Sequence, residues 1–290
     1  MPRYTKTEHS ETSMEQHTLH YEVLNVHNPG ETGQHWDVEV HATPEELQAF
    51  AETGYLIREA LFQGEALQKL KDALDRLEER EWEKRDSAIA SKRGWGFIPR
   101  HLMDKDEAFL ELLKFQPILS IVRAMMGPLV RLRGLSARIT YPGDDRQHQT
   151  PWHQHMRVVS NPIPPWFSRP HCIDCLIYLD DLNEDTGAVV VVPGSHDWLD
   201  KATPNTYQPI DGEVELQVKA GGAVLIHGNL WHRALPTLRS KRRMLILGYT
   251  PTWLRRSPHG EDPPEDGLTQ AFLKEADMEE RMLLGVGGYS

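Results

Sequence analysis

Hydrophobic spacing divides the chain near residue 128. Before that point apolar residues recur every three or four positions; after it they recur every second position or form short unbroken runs. Leu67, Leu70, Leu74 and Leu77, with Lys, Asp and Glu between them, predict a long helix over 64–85. Thr43-Pro44-Glu45-Glu46 reads as a capping box opening an earlier helix. That helix turns Leu47, Phe50 and Ala51 inward and ends near Gly54, with Tyr55–Arg58 as a short strand. Shorter helices are expected over 106–114, with Phe109, Leu112 and Leu113 inward, and over 117–126, closed by Gly127-Pro128. From Leu129 to Tyr141 the period is two, ending at Pro142-Gly143-Asp144-Asp145. Further strands are expected at 153–159, 171–180, 187–192, 214–218, 222–227 and 242–249.

Helices followed by many short strands indicate an α+β fold. Residues 1–42 are polar without lasting period and read as an irregular arm or as edge pieces. Residues 43–256 read as the main domain. Residues 257–290 read as a loop and a helix, Leu268 to about Leu284, packed on that domain.

Composition narrows the function classes. The chain has 290 residues, 39% hydrophobic and 26% charged, enough to bury a sizeable core. Net charge is −11, which argues against a nucleic-acid partner and is neutral about small substrates. No apolar run approaches the roughly 18 residues of a membrane span, and the N-terminus shows no secretory h-region. Cys172 and Cys175 form a C-x-x-C, but their apolar flanks read as a strand, which sets positions three apart on opposite faces. Two structural thiols and a cytoplasmic setting are the expectation.

The candidate chemistry sits in Thr150–Val159. Side chains two apart on extended backbone share a face, so His153 and His155 would aim two imidazoles at one metal ion. His232 is the candidate third ligand, after the strand Gly221–Ile226 and the turn Gly228-Asn229; His227, at the strand end, competes for that role. Arg242 and Arg243 open a strand with apolar residues on both faces. One of the two can face the interior, where a guanidinium needs an anionic partner and matches a carboxylate bidentately.

The run Asp180-Asp-Leu-Asn-Glu-Asp-Thr-Gly187 through Pro193-Gly194-Ser195-His196 resembles the phytanoyl-CoA dioxygenase family of Fe(II)/2-oxoglutarate oxygenases. So do Pro151-Trp-His-Gln, Trp231-His232 with an arginine at 243, and the opening Thr43–Leu77. The resemblance spans roughly residues 43–254. It implies a double-stranded β-helix, a jelly-roll-type barrel with flanking helices. It implies Fe(II), 2-oxoglutarate and O₂, with ascorbate as a candidate reductant, and oxidation of an unactivated C–H bond with succinate and CO₂ as co-products. Carried over by position, His153 and His232 are iron ligands and Arg243 holds the distal carboxylate of 2-oxoglutarate. Thr140 is a candidate contact to the co-substrate, and Arg138 to co-substrate or substrate. His196 is a turn residue in that pattern. Ala234 replaces a serine that helps bind 2-oxoglutarate in many relatives.

The departure from the family lies at His155, where the pattern has Asp. Three readings follow: a working three-histidine iron centre, a metal centre that reacts poorly because its iron is more cationic, or an engineered change or inactive relative. A three-histidine cupin-type dioxygenase that does not use 2-oxoglutarate is the alternative enzyme, and an impaired metal-binding jelly roll the non-enzyme reading. The expected substrate is a small molecule of unspecified class. Trp166 and Arg169, in the proline-rich stretch 161–170, are candidate substrate contacts at a pocket mouth.

Overall fold

The computed structural model describes residues 17–23, 34–83, 96–142, 149–155, 170–254 and 267–286. Within the expected N-terminal arm lies an antiparallel hairpin of β1 (His17–Val23) and β2 (Gln34–Val40). Alternation explains it. Val38 and Val40 are buried while His35, Asp37 and Glu39 are exposed.

The capping box forms as the residues predict. The Glu46 N–H donates to Thr43 Oγ1 at 3.2 Å, and the Thr43 N–H to the Glu46 carboxylate at 2.9 Å. It opens α1 (Pro44–Thr53), which leads into β3 (Tyr55–Arg58) and α2 (Gly64–Arg80). The expected helix over 106–114 is instead a 3₁₀ segment, Glu107–Leu112, begun by the Asp106 carboxylate on the Ala108 N–H at 3.1 Å. α3 (Gln116–Met126) then precedes the strands.

These are β4 (Val130–Thr140), β5 (Thr150–His153), β6 (Ile173–Tyr178), β7 (Val189–Val191), β8 (Val214–Leu216), β9 (Ala223–His227), β10 (His232–Ala234) and β11 (Arg242–Pro251). The single C-terminal helix expected is two, α4 (Leu268–Leu273) and α5 (Met278–Leu283). Asp277 starts the second with its own capping box to Glu280.

One antiparallel sheet has the order β3-β9-β6-β11-β4 and a second the order β5-β10-β7-β8. Their facing sides share one core: Leu176, Val224, Ile226 and Met244 from the first meet Val189, Val191 and Leu216 from the second. This is the double-stranded β-helix. The outer face of the five-stranded sheet carries a separate core. There Cys175, Ile177, Leu225, Leu245 and Leu247 pack with Leu70, Leu74 and Leu77 of α2 and Leu119 and Val122 of α3. β6 and β9 are buried on both faces, which is why they read as unbroken apolar runs. Cys172 and Cys175 are free and buried. No helix among the described residues is long and apolar enough to cross a membrane.

The α2 stripe holds the helical layer against the barrel. Leu74, with no exposed surface, sits at its centre. Leu74→Ala is expected to lower unfolding free energy by about 2–5 kcal/mol, read as a reduced midpoint in chemical denaturation.

Candidate metal and anion site

Strand pairing brings the distant histidines together. β10 lies between β5 and β7, which sets His232 opposite His153 on one side and Val191 on the other. The Pro193–His196 turn fixes this register. Ser195 Oγ accepts the Trp231 N–H at 2.9 Å, one residue before His232. The His196 ring bonds the Ala51 carbonyl at 3.1 Å, as a turn residue does.

His155 is not on the strand. β5 ends at His153, and His155 follows in a bend held by its N–H donating to the Gly228 carbonyl at 2.7 Å. The rings converge nevertheless: centroid separations are 4.1 Å for 153–232, 4.6 Å for 155–232 and 5.4 Å for 153–155. One ligating atom from each lies within 4.8 Å of the other two.

Hydrogen bonding settles which atoms those are. His153 Nδ1 donates to the Pro151 carbonyl at 2.9 Å and His232 Nδ1 to the Leu230 carbonyl at 2.8 Å. His155 Nδ1 donates to the Asp174 carboxylate. All three Nδ1 atoms are engaged as donors, so three Nε2 lone pairs remain. Burial, and then His153 and His155, push the His232 pKa well below its ordinary value, so this ring stays neutral and able to ligate. The donor set suits a divalent first-row metal. With bonds of about 2.1 Å an ion would draw neighbouring nitrogens to near 3 Å apart.

His227 is elsewhere. Its Nδ1 accepts the Asn229 N–H at 3.1 Å, and its ring packs on His196 at 4.8 Å. Burial, followed by His196 and His171, lowers its pKa to about 3.

The imidazoles open onto a cavity of about 720 Å³ between the sheets, lined also by Arg138, Tyr178, Arg242 and Met244. Alternation along β11 decides between the paired arginines. Met244 belongs to the barrel interior and Leu245 to the helical side. Arg242 therefore points inward and Arg243 outward. Arg243, expected on the co-substrate, instead binds Asp180 through Nη2 at 2.7 Å and Asp75 of α2 through Nη1 at 2.6 Å. Those carboxylates hold its pKa above the ordinary value.

Arg242 is 2% exposed and donates Nη1 to the Gly187 carbonyl. Its Nε and Nη2 find no acceptor among the described residues. Such a group is costly to bury unless an anion meets it. Gly187 is required at its position: φ is 79°, and a Cβ would strike the Pro236 carbonyl.

Arg138 lines the same cavity, its pKa lowered to about 9 by burial and then by Arg242. Thr140, the expected co-substrate contact, turns its hydroxyl to Thr237 Oγ1 at 2.6 Å and does not line the cavity. Trp166 and Arg169 lie outside the described residues. The sequence offers Arg242 and Arg243 as a pair and the family pattern selects Arg243; Tyr178, Asp174 and Arg133 are not singled out. A lone acid in the apolar run Cys172–Leu179 was the available signal for Asp174.

The model of the family Phytanoyl-CoA dioxygenase (PhyH) matches residues 50–245. "Uncharacterized protein Mb1539" of Mycobacterium bovis is 26% identical over 198 residues, 67% of this chain and 69% of its own length. HygX from Streptomyces hygroscopicus, solved with nickel and 2-oxoglutarate bound, superposes with a TM-score of 0.58 at 18% identity, covering 74% of this chain and 89% of its own. SnoK, a non-heme alpha-ketoglutarate-dependent carbocyclase from nogalamycin biosynthesis, gives 0.59 at 17% identity, covering 81% and 91%.

His227 sets an acid dependence. Its folded pKa, about 3, lies below the ordinary histidine value of 6.5, so the unfolded chain binds the proton first. The stability it contributes is complete above about pH 6.5 and is lost as pH falls towards the folded value. His227→Gln is expected to flatten the decline of the thermal midpoint across that window.

Proposed function

Because the chain belongs to the phytanoyl-CoA dioxygenase family, we propose that it is an Fe(II)/2-oxoglutarate-dependent oxygenase that oxidises an unactivated C–H bond of a small molecule, hydroxylation being the default outcome. Iron would be held by His153, His155 and His232. The distal carboxylate of 2-oxoglutarate would pair with Arg242, a correction by one residue to the position-for-position assignment of Arg243. The observation that carries this is the cavity itself, where three converging imidazoles and a buried guanidinium whose Nε and Nη2 meet no acceptor among the described residues line one space.

Iron, 2-oxoglutarate and O₂, when bound, supply the oxidant for C–H cleavage, with succinate and CO₂ as co-products. The chain's own part is positional. Arg242 is held by the Gly187 carbonyl so that its remaining N–H groups face the cavity, and its planar fork fits a carboxylate. Tyr178 lies beside it; burial raises the phenol pKa to about 12, which keeps it a neutral donor. Leu176, Val189, Met244 and Ile246 give the cavity apolar wall that excludes water from the reacting bond. Arg138 lines the same cavity and would meet an anionic group of co-substrate or substrate.

The His-x-His sequence favours a second reading, a three-histidine dioxygenase that does not use 2-oxoglutarate. It gives the buried Arg242 no anion to meet. Oxygen uptake with substrate but without succinate would establish it. A metal-binding jelly roll without turnover is distinguished by 2-oxoglutarate decarboxylation that appears only after His155→Asp.

The arginines give the sharpest test. Arg242→Gln is expected to raise the half-saturating 2-oxoglutarate concentration about 10–100-fold, the loss of a charge-assisted pair worth about 1.5–3 kcal/mol. Arg243→Gln is expected to lower the thermal midpoint and leave that concentration within about twofold. Succinate formation measured against 2-oxoglutarate concentration checks both, and the reverse pattern would restore the original assignment.

A further inference from the structure

The family pattern has a carboxylate where this chain has His155, and behind His155 stands another one. Asp174 on β6 has no exposed surface, and one of its oxygens accepts His155 Nδ1–H. Its other oxygen is paired with Arg133 Nη2. The Cys172 thiol donates to the histidine-facing oxygen at 3.2 Å.

Three features of the sheet exist around this pair. The register between β4 and β11 shifts between Gly248 and Tyr249: Gly134 faces Gly248, Leu132 faces Tyr249, and Arg133 is the extra residue. Such a bulge re-aims a side chain, here towards Asp174. Gly248 leaves the space, since a Cβ there would land on Asp174 Oδ1 and within 2.9 Å of Arg133 Nε. Asp174 sits opposite Gly248 in the β6–β11 register. A buried ion pair is weak evidence for stability, because apolar residues of similar volume commonly do as well. A bulge, a glycine and a buried acid arranged behind one imidazole point to a task at that imidazole.

We propose that Asp174 is a positioning residue for the metal centre: it fixes His155 as the Nδ1–H tautomer, aims Nε2 at the ion and strengthens that nitrogen as a donor, doing from behind the ring part of what a directly bound carboxylate does. Arg133 keeps the carboxylate in place through the oxygen that His155 does not use. The carboxylate is nearer the ring than the guanidinium is, so its field dominates there. The proposal rests on the reading that His153, His155 and His232 hold one divalent ion.

The test uses the full chain titrated with Co(II), followed by calorimetry and by the ligand-field absorption of the bound ion. The wild-type chain should bind one ion, lost in His232→Ala; if it does not, the three-histidine reading itself fails. With that in hand, Asp174→Asn is expected to weaken Co(II) binding about 10–100-fold and to shift the absorption band. The discriminating arm repeats the change on His155→Asp, where a ligating carboxylate would face Asp174 as a like charge. There Asp174→Asn should leave binding unchanged or tighten it. Equal losses in both backgrounds, or an unshifted band in Asp174→Asn, would overturn the proposal. Should Asp174→Asn not fold, Gly248→Ala displaces the pair while keeping both charges. It is expected to weaken Co(II) binding several-fold, and wild-type affinity and spectrum in that variant would equally overturn the proposal.

Discussion

Burial of β6 and β11 on both faces governs this molecule. A strand between a helical layer and a barrel interior has no solvent side on which to leave a charge, so each polar residue on it is committed to one of two apolar compartments. The two-residue period sorts them. On β11 it sends Arg242 into the barrel and Arg243 to the helices. On β6 it sends Asp174 and Tyr178 inward and Cys175 and Ile177 outward. Each outcome has its own solvation problem, and the solutions differ in kind. Arg243 is neutralised within the fold by Asp75 and Asp180 and belongs to its stability. Arg242 keeps two donors unsatisfied among the described residues, and so belongs to whatever enters the cavity.

The acidic turn and the Pro-Gly-Ser-His turn serve the same site from outside it. Gly187 ends the first turn in a backbone conformation with φ at 79°, and its carbonyl anchors Arg242. Asp180, at the start of that turn, takes Arg243. Ser195 in the second turn holds the Trp231 N–H and thereby the register that puts His232 opposite His153. These residues contact neither the metal position nor the anion position. They set where the contacting residues point, which explains why turns far from the chemistry carry a sequence signature.

Much of this was legible in the residues. The switch from a period near 3.6 to a period of two located the helical layer and the sheets, and the capping box at Thr43 gave the start of α1. The three histidines could be named because two lie two residues apart and the third follows a strand and turn. Other features lacked a local signal. The arginine pair could not be resolved because both faces of β11 are apolar, and only the neighbouring layers say which is the barrel. The 3₁₀ segment Glu107–Leu112 shares its apolar spacing with an α-helix over so short a span. Both strands of the β1–β2 hairpin alternate, with Leu19 and Tyr21 inward in the first and Val38 and Val40 in the second, but each run is short and set in a polar stretch. Arg133 owes its direction to a bulge that no alternation rule anticipates.

Asp174 joins these threads. In a strand buried on both faces a lone carboxylate survives only where partners reach it, and here they come from three places: Arg133 from a bulge on β4, Cys172 from the approach to β6, and His155 from the bend after β5. Burial alone would raise its pKa, but Arg133 and then His155 outweigh that and hold it well below the ordinary carboxylate range. It is therefore an anion fixed in position before any metal arrives. Two of the histidines are oriented by backbone carbonyls two residues earlier in the chain, which are neutral acceptors. The third, at the position where this chain departs from its family, is oriented by a charge. That asymmetry gives the substitution at 155 a physical context: an imidazole reaches further from the backbone than the carboxylate it replaces, and the negative charge lies at the far side of the ring.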